Sequence, residues 1–388
     1  MSLRAVLSRT ASALLLSSSS ALAADAPAWT HDVVYTADII GPVRGAPKSG
    51  RYLDNLDLTL DGDLEKAIGW KGASVHAYVL NNMGGKPNDV AGTLQGVDNI
   101  EVSRARVRLY ELWVQQDLAD GAASVRVGLY DLNSEFYTTD ASGLLIAPAF
   151  GIGSELSASG PNGPSIFPLT SVAVRVKVGR DEGPYAQAAV LSAQAGAFNE
   201  PSNLQLGLDR GAILIAEAGH AGPVRIAAGA WTYTQRQDDL RDLTPTGDPA
   251  RSNAHGGYVL AEGRLWGEDD GVRRGSAFAR GGVSDGDTTP FRGGWQAGVK
   301  IDHVFEGRPD SSLSFGVNQG LLSRKFRDNG RDAGLDLGRA ESAAEITYSD
   351  TIGRLSIQPD LQIVRHPGGE RDRRTVVIAG VRFTVDLD

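Results

Sequence analysis

The chain has 388 residues, with 38 Lys and Arg against 47 Asp and Glu, 48 glycines and no cysteine. A net charge of −9 argues against a nucleic-acid binder, which carries a basic patch, and the lack of cysteine excludes a small disulfide-held scaffold. Beyond the first residues no segment stays apolar for the ~20 positions a spanning helix needs, so any membrane crossing must be made by strands.

Arg4 and Arg9 open a positively charged start. An apolar stretch with Ala11, Ala13 and Leu14 to Leu16 follows, and Ala21-Leu22-Ala23 fits a small-x-small cleavage site. Residues 1–23 therefore read as a secretory signal peptide cut near Ala23 or Ala24, Ser17 to Ser20 ending the run too early for an anchor. The remainder, 24–388, reads as one domain with 36 basic and 47 acidic residues, a net charge of −11.

From there the pattern has period two, as expected of strands whose side chains point alternately to two faces. The first strand is expected near Trp29–Ile40. Leucines 56, 58, 60 and 64 alternate with polar residues; Val172, Val174, Val176 and Val178 alternate with Ala173, Arg175 and Lys177. Trp295, Ala297, Val299 and Ile301 oppose Gln296, Lys300 and Asp302, and Leu355, Ile357, Leu361 and Ile363 oppose Ser356, Gln358, Asp360 and Gln362. The last strand, near Thr375–Leu387, sets Val377, Ala379, Val381, Phe383 and Val385 against Gly380, Arg382 and Thr384.

Short breaks at 69–72, 120–121, 181–183, 221–222 and 351–353 read as tight turns. Longer polar stretches lie between them, at 84–103, 133–169, 194–203, 236–256, 284–292 and 322–337. Short periplasmic turns alternating with long extracellular loops are expected of an outer-membrane barrel. Sixteen strands can be placed, and an even number lets the first pair with the last. The fold class is thus all-β: a single 16-stranded antiparallel transmembrane β-barrel. A soluble sandwich also alternates, but it needs two opposed apolar faces and does not explain the export signal, the turn rhythm or the many Arg, Lys, Asp and Gln at lumen-type positions.

Motifs for catalysis are weak. Gly282-Val283-Ser284-Asp285-Gly286 matches G-x-S-x-G, whose mechanics need a strand, a sharp turn and a helix, and no helical pattern follows. Asp57 to Gly62 begins like a calcium loop, but Ile68 stands where the bidentate Glu is required. The six histidines form no paired metal spacing. No enzyme activity, cofactor or metal is expected.

A barrel of this size leaves an aqueous channel unless something folds into it, and a loop as long as 133–169 is usually functional. Arg104, Arg106 and Arg108 are expected on one face of a strand end, with Glu111 beyond them, Arg126 on the next strand, Arg175 and Lys177 on a third, and Glu135 in the long loop. Arginine forks opposite carboxylates would set a field across a pore and hydrogen-bond the hydroxyls of a polyol.

Seven short blocks then carry a resemblance. Asp63-Leu64-Glu65-Lys66, Gly69-Trp70-Lys71-Gly72-Ala73, Leu94 to Glu101, Arg108 to Gln116, Arg126 to Asp131, Asn133-Ser134-Glu135-Phe136 and Pro164 to Leu169 resemble, in this order, the OprB-type carbohydrate-selective porins. The match covers about residues 55–178. It implies passive diffusion of mono- and oligosaccharides and similar polyols across a Gram-negative outer membrane, through a pore narrowed by inward loops lined with Arg and Glu. Arg108, Glu111 and Glu135 fall within matching blocks, whereas Arg104 and Arg106 rest on alternation alone. Expected partners are small sugars, outer-membrane lipids and the barrel-assembly machinery, with a homotrimer as one possible assembly. Ending on Val385-Asp386-Leu387-Asp388 departs from the terminal Phe common in such barrels. Two rivals stand beside the sugar porin: a general or ion-selective porin, and a non-conducting structural or adhesive barrel.

Overall fold

A computed structural model describes residues 27–196, 207–267 and 273–388; the expected signal peptide lies outside them. Nine strands lead: β1 (Trp29–Arg44), β2 (Arg51–Asp63), β3 (Ala73–Gly84), β4 (Arg106–Leu118), β5 (Ala123–Tyr130), β6 (Ser171–Gly179), β7 (Gly183–Ser192), β8 (Ala212–Ala221) and β9 (Val224–Tyr233). A hairpin of β10 (Gln237–Leu243) and β11 (Pro249–Ser252) occupies the next connection, outside the wall. The wall resumes with β12 (His255–Trp266), β13 (Arg274–Ser284), β14 (Phe291–Asp302), β15 (Ser312–Leu322), β16 (Ala340–Ile352), β17 (Leu355–Arg365) and β18 (Val376–Asp386).

Sixteen of these strands close into one antiparallel barrel, β9 pairing directly with β12. The seam joins β1 to β18, from Val34 opposite Asp386 to Gly41 opposite Ala379, and the Leu387 N–H extends it by donating to the Val33 carbonyl at 2.9 Å. Alternation settles the sense of the wall. On β6, Val174, Val176 and Val178 are 46 to 50% exposed while Arg175 is 1% exposed. Leu58, Leu60, Trp295, Phe315, Leu361 and Ile363 likewise stand outward. The apolar face is outside and the polar face inside, the arrangement a lipid-embedded barrel requires.

Two features of the connections differ from the sequence expectation. Residues 366–375 form a further long connection on the side of the other long loops, carrying a short 3₁₀ turn at Pro367–Gly369. The turn after β2 contains a helix, Leu64–Ile68, started by the Asp63 carboxylate accepting from the Lys66 N–H and stopped by Gly69 at φ 78°. Such caps suffice for one turn, and one turn is too short to show a helical period.

The longest loop, between β5 and β6, folds into the barrel. Leu132, Phe136, Tyr137, Ile152 and Leu156 are buried against Leu191, Ile213, Ile215, Trp231, Tyr233 and Tyr258 of the inner wall. At about 2 kcal/mol for each large apolar side chain buried, this contact holds the loop inside. Further along, Leu145 and Phe150 pack on β13 and β15, with Phe150 edge-on to Phe278 at 6.3 Å. Gly316 on β15 permits that approach: a Cβ there would lie 2.6 Å from the Leu145 side chain.

Candidate functional site

Polar side chains of the inner wall fasten the long loop along its length. Arg280 on β13 donates to the carbonyls of Tyr137 at 2.8 Å, Gly151 at 3.0 Å and Ala149 at 3.3 Å. Glu217 on β8 accepts from the Tyr137 N–H and from the hydroxyls of Tyr185 and Tyr258. Glu345 on β16 accepts from Ile146 and Ala147 N–H, and Gln358 on β17 donates to the Leu144 carbonyl at 2.7 Å. The loop thus reaches from β5 across the lumen to β16 and β17.

A second inward loop, 85–105, is held against the other side of the wall. Glu341 accepts from the N–H groups of Leu94 and Gln95, both at 2.9 Å. Arg382 on β18 reaches Asp98 and Asn99 while pairing with Asp38 on β1. Val97 and Ile100 pack with Ile40, Leu53, Val364, Val376 and Ile378. The Asn99 N–H donates to the Ile146 carbonyl at 3.0 Å, so the two loops meet.

The wall from β2 to β6 carries the sequence-predicted residues. Arg104 lies two residues before β4, exposed, and offers its carbonyl to Arg108 at 2.7 Å; it is not on the strand face expected of it. Arg106 opens β4 opposite Asn82. Arg108 is 3% exposed and donates to Asn82 at 3.2 Å. Plain alternation would turn Glu111 away from Arg108. A register shift prevents this: Tyr78 pairs with Glu111 and Val79 with Leu109, leaving Tyr110 as an extra residue. Such a bulge re-aims side chains, and Arg108, Tyr110 and Glu111 are all buried while Val107 and Leu112 remain on the exposed outer face.

Glu111 accepts from the Asp131 N–H at 2.9 Å and lies 3.9 Å from His76. Arg126 bonds Gln115, lies 3.5 Å from Glu135, and covers the Trp113 ring at 3.7 Å from the β5 side. His76 stacks on the same ring from β3, with centroids 5.0 Å apart. Glu135 receives a two-pronged donation from Arg175, at 2.8 and 3.0 Å, the strong planar geometry of an Arg–carboxylate pair. Lys177 stands 6.0 Å from the Tyr185 ring. Burial alone would raise the Glu135 pKa, but Arg126 and Arg175 outweigh it and hold this loop carboxyl below its usual range. The structure therefore gathers Arg108, Glu111, Arg126 and Arg175 along adjoining strands beside Glu135 of the long loop, with Arg106 and Lys177 at the edges.

Sequence reading missed His76, Tyr110, Trp113 and Asp131. Their polar or aromatic character at inward positions was visible, but the bulge that brings them together was not. Asp131, just past β5, is pushed up to about 7 by burial and then by Glu111, against the Tyr110 hydroxyl that favours its charged form. Above pH 7 it adds a negative charge; below, it is neutral. The cation-to-anion permeability ratio in a planar bilayer should fall as pH drops through this value, and the step should vanish in Asp131→Asn. A raised carboxyl pKa also means that the folded state loses stability as pH rises from the ordinary value of 3.8 toward 7. Asp131→Asn should remove that loss, read as thermal stability at alkaline pH.

The G-x-S-x-G stretch lacks the required elbow. Ser284 ends β13, its hydroxyl donates to the Phe291 carbonyl at 2.7 Å, and β14 follows where a helix would be needed.

Comparison with known proteins agrees with this architecture. Residues 47–387 match the family model described as carbohydrate-selective porin, OprB family. Porin B of Pseudomonas aeruginosa is 27% identical over 385 residues, covering 87% of this chain and 82% of that protein. The high-pH structure of Pseudomonas putida OprB superposes with a TM-score of 0.82 at 22% identity, covering 93% of this chain and 94% of that one. The low-pH structure of the same protein gives 0.59 at 19% identity, covering 93% of each.

Proposed function

Taking as premise that the chain belongs to the OprB family of carbohydrate-selective porins, and is a carbohydrate diffusion channel of the Gram-negative outer membrane, we propose that its selective passage is the gap between loops 85–105 and 131–170 and the β2–β6 wall. The observation that carries this reading is the pair of loops pinned inward by Arg280, Glu217, Glu345, Glu341 and Arg382. They leave Arg106, Arg108, Glu111, Arg126, Glu135 and Lys177 as the charged flank of the gap.

A sugar entering such a gap exchanges water for donors and acceptors already held in place. Arginine supplies forked N–H donors and no acceptor; the carboxylates supply acceptors. Because the Trp113 ring is already covered by His76 and Arg126, polar bonds, not stacking on this ring, carry the recognition. Arg175, 1% exposed, does not meet the solute; it fixes Glu135. Transport follows the solute gradient without a catalytic step, and the apolar exterior is the surface that meets outer-membrane lipid.

Planar-bilayer recording with glucose tests the reading. Conductance steps that shrink in a saturable way on adding glucose are expected. Steps that ignore glucose while discriminating ions would make this a general or ion-selective porin, and an absence of steps would leave a non-conducting barrel.

A further inference from the structure

A basic cluster stands at the loop end of the barrel, away from the passage just described. The connection between β15 and β16 holds a helix, Arg324–Asp332, capped by the Ser323 hydroxyl accepting from the Phe326 N–H at 3.1 Å. One face of this helix is fastened to the β10–β11 hairpin: Lys325 pairs with Asp239 and Asp242, Asn329 donates to the Leu240 carbonyl, and Asp332 pairs with Arg241. Arg327 belongs to a different face. Two backbone bonds bring other arginines beside it. Ser323 N–H donates to the Pro290 carbonyl at 2.7 Å, placing Arg292 nearby, and Leu322 N–H donates to the Arg339 carbonyl at 2.9 Å.

Arg292 and Arg339 are exposed and Arg327 is half-buried. The Arg327 Nε is shielded from solvent and donates to no acceptor among the described residues. The acids in this neighbourhood are engaged elsewhere: Asp328 by Arg331 at 3.1 Å, with Arg324 3.9 Å away, Asp287 by Lys325 at 2.9 Å, and Asp285 by the N–H and hydroxyl of Thr288. Burial, followed by the positive charge of Arg339, makes Arg327 hold its proton less firmly than usual, and Arg292 and Arg331 act in the same sense. Asp328 offsets part of this, but among the described residues no carboxylate bonds Arg292, Arg327 or Arg339, and guanidiniums gathered in this way are a cost unless an anion completes the group.

We infer that Arg292, Arg327 and Arg339 form a site for a phosphate monoester at the extracellular rim. The ligand is a phosphate group carried either by a soluble sugar or by a lipid headgroup of the outer leaflet; both offer the three-oxygen anion that arginine forks match.

The full chain in non-ionic detergent, titrated with inorganic phosphate and followed by calorimetry, tests the site. Saturable binding that weakens roughly tenfold or more in Arg327→Gln and in Arg339→Gln, and less in Arg327→Lys, is the expected result. Binding that never saturates, or that is equally strong in the glutamine variants, overturns the site. Two competitors then identify the source. Displacement by glucose 6-phosphate but not by micelles containing diphosphorylated lipid A assigns a soluble sugar phosphate, the reverse assigns the lipid, and displacement by both assigns phosphate monoesters generally. Displacement by neither overturns the ligand class. Glucose block of the channel should persist in Arg327→Gln, showing that the barrel is folded while the rim site is lost.

Discussion

Replacing Arg280 with alanine is expected to free the long inward loop and turn a sugar-selective channel into a wide, noisy one. Its guanidinium donates to Tyr137, Ala149 and Gly151 carbonyls on the loop and to Gln296 on the wall. A hydrogen bond to a charged group contributes about 1.5–3 kcal/mol. Water of the lumen replaces part of what is lost, so a net destabilisation of about 2–3 kcal/mol is the reasonable figure. The apolar contacts of Phe136, Tyr137 and Leu156 remain, so the barrel itself should still form. Single-channel conductance should rise, open-channel noise should increase, and saturable block by glucose should be lost. Unchanged conductance with unchanged block would mean that Arg280 does not control the loop. Arg280→Lys keeps a charge but cannot reach three carbonyls with a planar fork, so it should recover stability more than selectivity.

The second large effect is expected at Arg108. Its side chain fills the space between Asn82 and the Arg104 carbonyl, on the same side of the bulged strand as Glu111. Arg108→Ala should widen the passage, raise ion conductance and weaken glucose block roughly tenfold, the scale of one charge-assisted bond, because this buried guanidinium fills the flank of the gap and holds Asn82 in place. Arg104→Ala is the matched control. That residue is exposed and lies ahead of the strand, so its loss should leave block nearly intact. Equal effects at both positions would remove Arg108 from the flank of the passage.

The contrast between these two arginines shows where the sequence was informative and where it was not. Period-two alternation is a local property of strands, so the β6 run from Val172 to Val178 revealed both its faces without any structure. Strand beginnings are not local in that sense. Arg104, Arg106 and Arg108 alternate identically, but the ladder to β3 starts only where Arg106 meets Asn82. Glu111 was placed by family resemblance, and the extra residue Tyr110 supplies the physical reason it shares a face with Arg108. The loop fasteners were least legible. Glu217, Arg280 and Glu345 look like any other lumen-type polar residue in a strand, and only the path of the loop reveals that they serve backbone N–H and carbonyl groups. The helix Arg324–Asp332 was hidden in the same way, within a stretch that read as a polar loop.

The seam has a bearing on how the molecule is made. Its hydrogen bonds join Val33 and its neighbours to residues beyond 378, partners separated by nearly the whole chain. Until the final strand arrives, β1 presents a free row of N–H and carbonyl groups, which hydrocarbon cannot satisfy. Insertion and sealing must therefore finish together, late and slowly, as expected when the contact that completes a fold is its most distant one. A chain lacking β18 should not make a narrower channel; it should make none.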